Sequence, residues 1–281
     1  MTIVKMLNMK GKLWPLDTPA VMGILNVTPD SFYAESRQQS EAAVAGRIET
    51  IIAEGGALVD LGGYSSRPDA ADVSAEEEWR RIEPALARLL RDYPDIPVSL
   101  DTFRADVARR AVEEYGVAVI NDISGGNMDG NMFETVARLN VPYVLMHMRG
   151  TPQTMRQHTD YHHLFEDIML YFAGKIRALR LAGVNDIIVD PGFGFAKTPD
   201  QNYELMRYLN EFRAMTECPL LVGISRKRMI YDLLDCTAEE SLNGTTALNT
   251  FALLNGADML RVHDVKAAVE AVKITNKLKH G

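Results

Sequence analysis

Cysteine is almost missing from this 281-residue chain. Cys218 and Cys236 are too few and too irregularly placed for a disulfide framework or a zinc site. No segment approaches the roughly 18 continuous apolar residues that span a membrane. The opening stretch, MTIVKMLNMKGKLWPLDTPA, has neither a clean apolar core region nor a cleavage pattern. A soluble, unexported, cytoplasmic protein is expected. Positive charge is in deficit, with 30 Lys and Arg against 38 Asp and Glu and a net charge of −8. That balance argues against non-specific nucleic-acid binding, while a local cluster of Arg and Lys could still hold a small anionic substrate. There is no HExxH, no Cys/His cluster and no carboxylate cage, so a tightly bound structural metal is not expected. Nor is there a Ser–His–Asp or Cys–His arrangement. The GFGF of residues 192–195 is too short for a dinucleotide fingerprint and follows the wrong strand. Low-complexity tracts and linkers are absent, and a single domain over 1–281 is expected, with 1–20 as an N-terminal extension.

What the chain does have is apolar residues, 47% of the total, in a regular alternation. Short apolar runs at 21–26, 57–61, 96–100, 117–121, 142–147, 186–190, 219–223 and 257–261 read as strands. Between them lie amphipathic stretches such as EAAVAGRIETIIAEGG, SAEEEWRRIEPALARLLRDY and ADVARRAVEEYG. Gly55, Gly116, Gly183 and Gly256 fall where helices should stop. Eight strand–helix units with near-continuous apolar strands predict a parallel sheet closed into a (β/α)8 TIM barrel, a fold that reaches about 250 residues as one domain. An open doubly wound sheet is the alternative. The segment MLNMKGKLWPL is read as a hairpin across the barrel floor.

Every one of these strands ends in a polar group. The series runs Asn26, Asp60 in DLGGYSSRP, Asp101 in SLDT, Asn121 in NDISG and His147 in LMHMRG. It continues with Asp190 in VDPGFGF, Ser225 and Lys227 in GISRK, and Arg261 and His263 in RVHD. In a parallel barrel those ends converge on one rim, where active sites of this fold are built. A polar residue after a strand is often only a cap or a turn former, and Thr102 and Ser74 are read that way. Asp60 is read as structuring its own glycine loop. Eight polar endings out of eight exceed what capping needs, so the ring is read as a site.

Asp101 and Asp190 with Asn121 and Lys227 could satisfy a flat heterocycle carrying both donors and acceptors, since a carboxylate accepts two parallel N–H bonds. The bland alternative is an Asp–Lys ion pair in the barrel mouth. Arg67, Arg261 and a protonated His263, with Asn26, could hold a phosphate or diphosphate. Asn26 offers a neutral oxygen to a magnesium ion, which keeps waters and leans on substrate phosphates. Such chemistry works by positioning and electrostatics, without a covalent nucleophile.

From about Ala20 onward the chain resembles the dihydropteroate synthase family. The resemblance rests on MGILNVTPDSF, VDLGGYSSRP, VSLDT, INDISGG, LMHMRGTPQTM, VDPGFGFAKT, GISRK, NGTTALN and RVHD, nine segments in the family's order and spacing. It implies a TIM-barrel transferase of folate synthesis. Such an enzyme joins 6-hydroxymethyl-7,8-dihydropterin diphosphate to p-aminobenzoate, releases pyrophosphate and is a sulfonamide target. Carried over, it places Asp101, Asn121, Asp190, Lys227 and Arg261 around the pterin. Asn26, Ser66, Arg67, Arg261 and His263 fall on the diphosphate, and Phe32, Pro68, Phe195 and Ser225 around p-aminobenzoate. It also implies Mg2+ at Asn26, catalytic roles for Asn26, Lys227, Arg261 and His263, and a homodimer. GTTALNTFALLNG is apolar enough for that interface, although it could equally pack on the barrel.

Two loops depart from the family pattern. After NVTPDSF, Ala34 stands where an aspartate is usual, with Glu35 beside it; in the second loop Tyr64 replaces Glu and Ser66 replaces Thr. Two other readings follow. One is a corrinoid-linked methyl-transfer pterin domain, which would need neither the NVTPDSF loop nor the Arg261/His263 anion site. The other is a non-catalytic pterin-binding paralogue.

Overall fold

The computed structural model describes residues 5–27, 37–65 and 73–280. The chain begins with an antiparallel hairpin of β1 (Met6–Met9) and β2 (Lys12–Pro15), paired Met9 to Lys12 across the turn. Lys10 and Gly11 both take positive φ, 53° and 80°, the geometry of a two-residue turn whose twist matches that of the strands. The Gly11 N–H donates to Asn8 Oδ1 at 2.8 Å.

β3 (Ala20–Asn26), β4 (Leu58–Gly62), β5 (Val98–Asp101) and β6 (Val119–Asp122) come next in one parallel sheet. It continues with β7 (Tyr143–Met146), β8 (Ile187–Asp190), β9 (Leu221–Val222) and β10 (Met259–Val262). β10 lies beside β3, and a parallel bridge from Val189 to Leu220 joins β8 to the start of β9. The barrel is therefore closed, and the open-sheet alternative falls. Each predicted strand is present, most of them displaced by one or two residues, as with 57–61 against Leu58–Gly62.

Helices α1 (Arg37–Ala53), α2 (Ala75–Asp92), α3 (Ala105–Tyr115), α4 (Met132–Leu139) and α5 (Leu164–Ala182) cross between the early strands. The crossover after β8 holds α6 (Pro199–Arg207) and α7 (Leu209–Thr216). That after β9 holds α8 (Arg228–Leu234) and α9 (Leu242–Leu254), and α10 (Val265–His280) ends the chain. Ser74 caps α2, accepting from the Glu77 N–H at 3.2 Å as read. Thr102 does not cap α3: the cap position is Arg104, and Thr102 Oγ1 instead accepts from the Arg104 N–H at 3.2 Å. Gly116 ends α3 at φ 64°, a left-handed conformation that glycine adopts without Cβ strain.

Strand residues alternate between two destinations. Val59, Leu61, Val98 and Leu100 face outward into the layer packed by Ile48 of α1, Ile82 of α2 and Val107 of α3. Gly23 is required there, since a Cβ would come within 2.6 Å of Ile51 on α1. Inward, the floor holds Met22, Leu58, Val119, Val144, Ile188, Leu221 and Met259, and Leu7 and Met9 of the hairpin close it from below. One position higher on several strands, the inward side chains become polar.

Candidate active site

Above the floor, the inward polar positions are Asp60 on β4, Ser99 and Asp101 on β5, Asn121 on β6, Asp190 on β8 and Arg261 on β10. Arg261 organises them. Its Nε donates to Asp60 Oδ2 at 2.6 Å and its Nη2 to Asp101 Oδ2 at 2.7 Å. Asn121 Nδ2 also donates to Asp60, at 3.2 Å to Oδ2. Asp60 is fully buried. It braces Arg261 across the barrel rather than shaping its glycine loop, which corrects the reading from sequence.

The electrostatics follow from burial. Burial pushes the Asp101 carboxyl up, the Arg261 charge pulls it back, and the balance lies at about 7. Asp190 is likewise raised by burial against the pull of Lys227, and its Oδ1 accepts from the Gly192 N–H at 2.7 Å. Burial brings Lys227 down to about 8 despite Asp190. For Arg261 burial acts downward, but Asp60 and Asp101 more than reverse it. These directions are those expected for charges drawn into a low-dielectric pocket and then paired.

Among the described residues, Asp101 pairs with Arg261, and no ion pair joins Lys227 to Asp101 or Asp190. The bland Asp–Lys pair is therefore not what forms. Lys227, at the N-terminus of α8, donates to the Phe193 carbonyl and lies 4.7 Å from the centre of the Phe195 ring. Ser225 Oγ accepts from the His263 N–H at 3.1 Å and lies 3.3 Å from His263 Nδ1. Arg226 pins both loops by forking onto Asp264 at 2.8 Å through each nitrogen. His263 is pushed down to about 4, first by burial and then by Arg261, so at neutral pH it is an uncharged ring. A protonated His263 is thus not what these surroundings favour at neutral pH.

These groups surround a narrow cavity of about 50 Å3. Asp101, Asn121, Asp190, Lys227 and Arg261 line it, together with Phe195, Ser225 and His263. Ile24, Ile123 and Met146 add apolar walls that the search for polar strand endings passed over. Asn26 sits at the rim, exposed, where its Oδ1 and the Asp101 Cβ would lie 3.3 and 3.4 Å from a Cβ on Gly62. His147 is excluded from the cavity. It packs edge-on against Tyr171 at 4.9 Å, with Nδ1 3.0 Å from Lys197 Nζ. Phe32, Ala34, Glu35, Ser66, Arg67 and Pro68 lie outside the described residues. Tyr64, the second-loop departure, is buried beside Phe103 at 5.0 Å and accepts from Gln153 Nε2 at 3.0 Å.

A parallel barrel whose mouth holds an arginine bonded to two inward carboxylates, one of them also bonded to an asparagine, has the form of an α/β-barrel enzyme. The chain belongs to the pterin binding enzyme family, whose model matches residues 22–263, and within it to the dihydropteroate synthases. It is 42% identical to the dihydropteroate synthase of Synechocystis sp. over 92% of this chain and 89% of that protein. The solved Yersinia pestis dihydropteroate synthase, in a sulfonamide drug complex, superposes with a TM-score of 0.89 at 36% identity. That match covers 98% of this chain and 99% of the other. The Xanthomonas albilineans enzyme with 4-aminobenzoic acid gives 0.89 at 36%, covering 99% and 100%. These are synthases, and the corrinoid methyl-transfer reading gains no support from them.

Proposed function

We infer that the chain catalyses the condensation of 6-hydroxymethyl-7,8-dihydropterin diphosphate with p-aminobenzoate to 7,8-dihydropteroate and pyrophosphate. The observation that carries this reading is one cavity joining Asp101, Asn121, Asp190 and Lys227 to Arg261 and His263. Asp190 accepts two N–H bonds from the pyrimidine edge, Asn121 and Asp101 meet the rest of the ring system, and Lys227 donates to its carbonyl. Arg261 releases part of its hold on Asp60 and Asp101 to face the diphosphate, with His263 as a neutral donor and Asn26 at the rim.

In the reaction the arylamine nitrogen forms a bond to the pterin methylene, and the methylene–oxygen bond breaks. The electron pair leaves with pyrophosphate, and the amine's surplus proton passes to a pyrophosphate oxygen or to water. The dihydropterin ring delocalises positive charge developing on the methylene, so no strong base or protein nucleophile is needed. Prearranged charges at the mouth provide most of the acceleration, because they need no reorganisation as the diphosphate departs. Ser66 and Arg67 complete the anion site in this reading, and Phe32, Pro68, Phe195 and Ser225 form the arylamine pocket.

Magnesium belongs to the same proposal. The described residues contain no group of three His, Cys, Asp or Glu able to cage a metal. An exposed amide oxygen at Asn26 beside Asp101 suits an ion that keeps most of its waters and leans on phosphate. When bound, it would neutralise charge on the diphosphate. A homodimer is supported by Leu233 and Leu234 on α8 and by Phe251 and Leu254 on α9, apolar side chains exposed on contacting helices. No helix among the described residues is long and apolar enough to cross a membrane, in keeping with a cytoplasmic location. The deciding experiment follows pyrophosphate release with both substrates and magnesium. Turnover dependent on both substrates is expected; a folded protein that binds the pterin diphosphate and releases nothing would make it the non-catalytic paralogue.

A further inference from the structure

Behind the cavity lies a buried lysine that the reaction does not use. Lys197 Nζ is 3.0 Å from each of three partners: the Gly192 carbonyl, the Phe195 carbonyl and His147 Nδ1. The two carbonyls accept from Nζ, and its remaining N–H or lone pair meets His147 according to the ring's tautomer, burial holding the amine well below its ordinary pKa. The segment it grips is conformationally demanding, with positive φ at Gly192 (71°), Gly194 (79°) and Ala196 (49°). A non-glycine residue stays in that region only when its surroundings hold it there. Tyr161 adds a bond to the Ala196 carbonyl at 2.9 Å. The opposite face of the same segment offers the Phe193 carbonyl and the Phe195 ring to Lys227 and the cavity.

We propose that Lys197 is a positioning residue for the arylamine substrate, acting through the loop that carries Phe195 and touching no substrate itself. The inference rests on the reading given under Proposed function. The polar contacts expected for the pterin come largely from strand residues Asp101, Asn121 and Asp190, fixed by the barrel ladder. Phe195 is fixed by its loop, and the loop by Lys197. Loosening Lys197 should therefore separate the two substrates, whereas a purely structural role would lower the amount of folded enzyme and leave both KM values alone.

The test uses Lys197→Met, Lys197→Arg and His147→Phe in the full chain. The last keeps a ring against Tyr171 and removes one of the three hydrogen-bond partners of Lys197. Kinetics with each substrate varied should show KM for p-aminobenzoate raised about tenfold or more in Lys197→Met, since small misplacements of a binding wall are costly. His147→Phe should raise it about threefold through loss of one hydrogen bond, and Lys197→Arg should restore part of the loss. Pterin affinity by calorimetry should change by no more than about twofold in the same proteins, because its anchors stay on the strands. Equal changes in both KM values, or none in an active enzyme, would overturn the proposal. If Lys197→Met fails to fold, His147→Phe decides by the same criterion. If wild-type protein shows no turnover, the functional reading fails instead, and hydrogen exchange of residues 192–196 decides the loop claim. Faster exchange confined to that loop in His147→Phe supports the grip by Lys197, and unchanged exchange refutes it.

Discussion

The floor and the mouth of this barrel are made by the same strands, only two or four residues apart. At the floor, Met22, Leu58, Val144 and Met259 pack with the hairpin's Leu7 in one apolar cluster. At the mouth, the corresponding faces of β4, β5, β8 and β10 carry Asp60, Asp101, Asp190 and Arg261. The contrast shows how the fold separates its tasks. Burial is favourable at one end and is tolerated at the other only because each charge has a partner. A change at the floor should therefore alter stability and spare affinity, and a change at the mouth should do the reverse or both.

The largest effect is expected from Arg261→Ala, which removes the link between the two carboxylates and the anion site together. kcat/KM should fall by about a thousandfold, the scale of losing a preorganised charge. Pyrophosphate binding should weaken far more than binding of a pterin lacking the diphosphate. Equal weakening of both ligands would place Arg261 on the side of fold stability alone. Next comes Asp190→Asn, which turns an acceptor into a donor facing a ligand donor. The cost is on the order of 3 kcal/mol, or about a hundredfold in pterin affinity by calorimetry. Unchanged affinity would remove Asp190 from the pocket.

Leu7→Ala tests the other end. Leu7 is 1% exposed on the barrel floor, and its truncation should lower unfolding free energy by about 2–4 kcal/mol in a denaturant titration. KM for both substrates should stay as in the wild type, and a shifted KM would dissolve the division between floor and mouth. The smallest effect is in pH. Asp101 holds its proton below about 7, and Lys227 loses its own above about 8. The species with an ionised Asp101 and a charged Lys227 is therefore most populated between those values. kcat/KM for the pterin diphosphate should rise through the lower value and fall through the upper one, since this ratio reports the free enzyme. Asp101→Asn should erase the acid limb. His263, already neutral above about 4, should contribute no limb near 6.5.

The strands were legible because parallel barrel strands, covered on both faces, read as unbroken apolar runs, and their polar endings named most of the cavity. What could not be read was partnership across the chain. Asp60 and Arg261 are 201 residues apart, and no local pattern tells a glycine-loop aspartate from a barrel-spanning one. His147 was misplaced for a different reason, and parity could have found it. Met146 pairs with Asp190 in register and faces inward, so the next residue must face out. The same count puts Arg261 in, Val262 out and His263 in. Ile123 and Met146 escaped notice because a search for chemistry looks past apolar walls.

The joint between β8 and β9 has a mechanical consequence. β9 is two residues long, and the hoop is completed there by the bridge from Val189 to Leu220, with the Val189 N–H bonded to the Pro219 carbonyl at 2.9 Å. A ring that is thin at one point behaves as a split collar: under strain it spreads at the gap before it deforms elsewhere. Asp190 stands on one lip, and Ser225 and Lys227 follow directly from the other. The spacing between Asp190 and Lys227 is therefore set across the joint of the barrel that has the fewest paired residues.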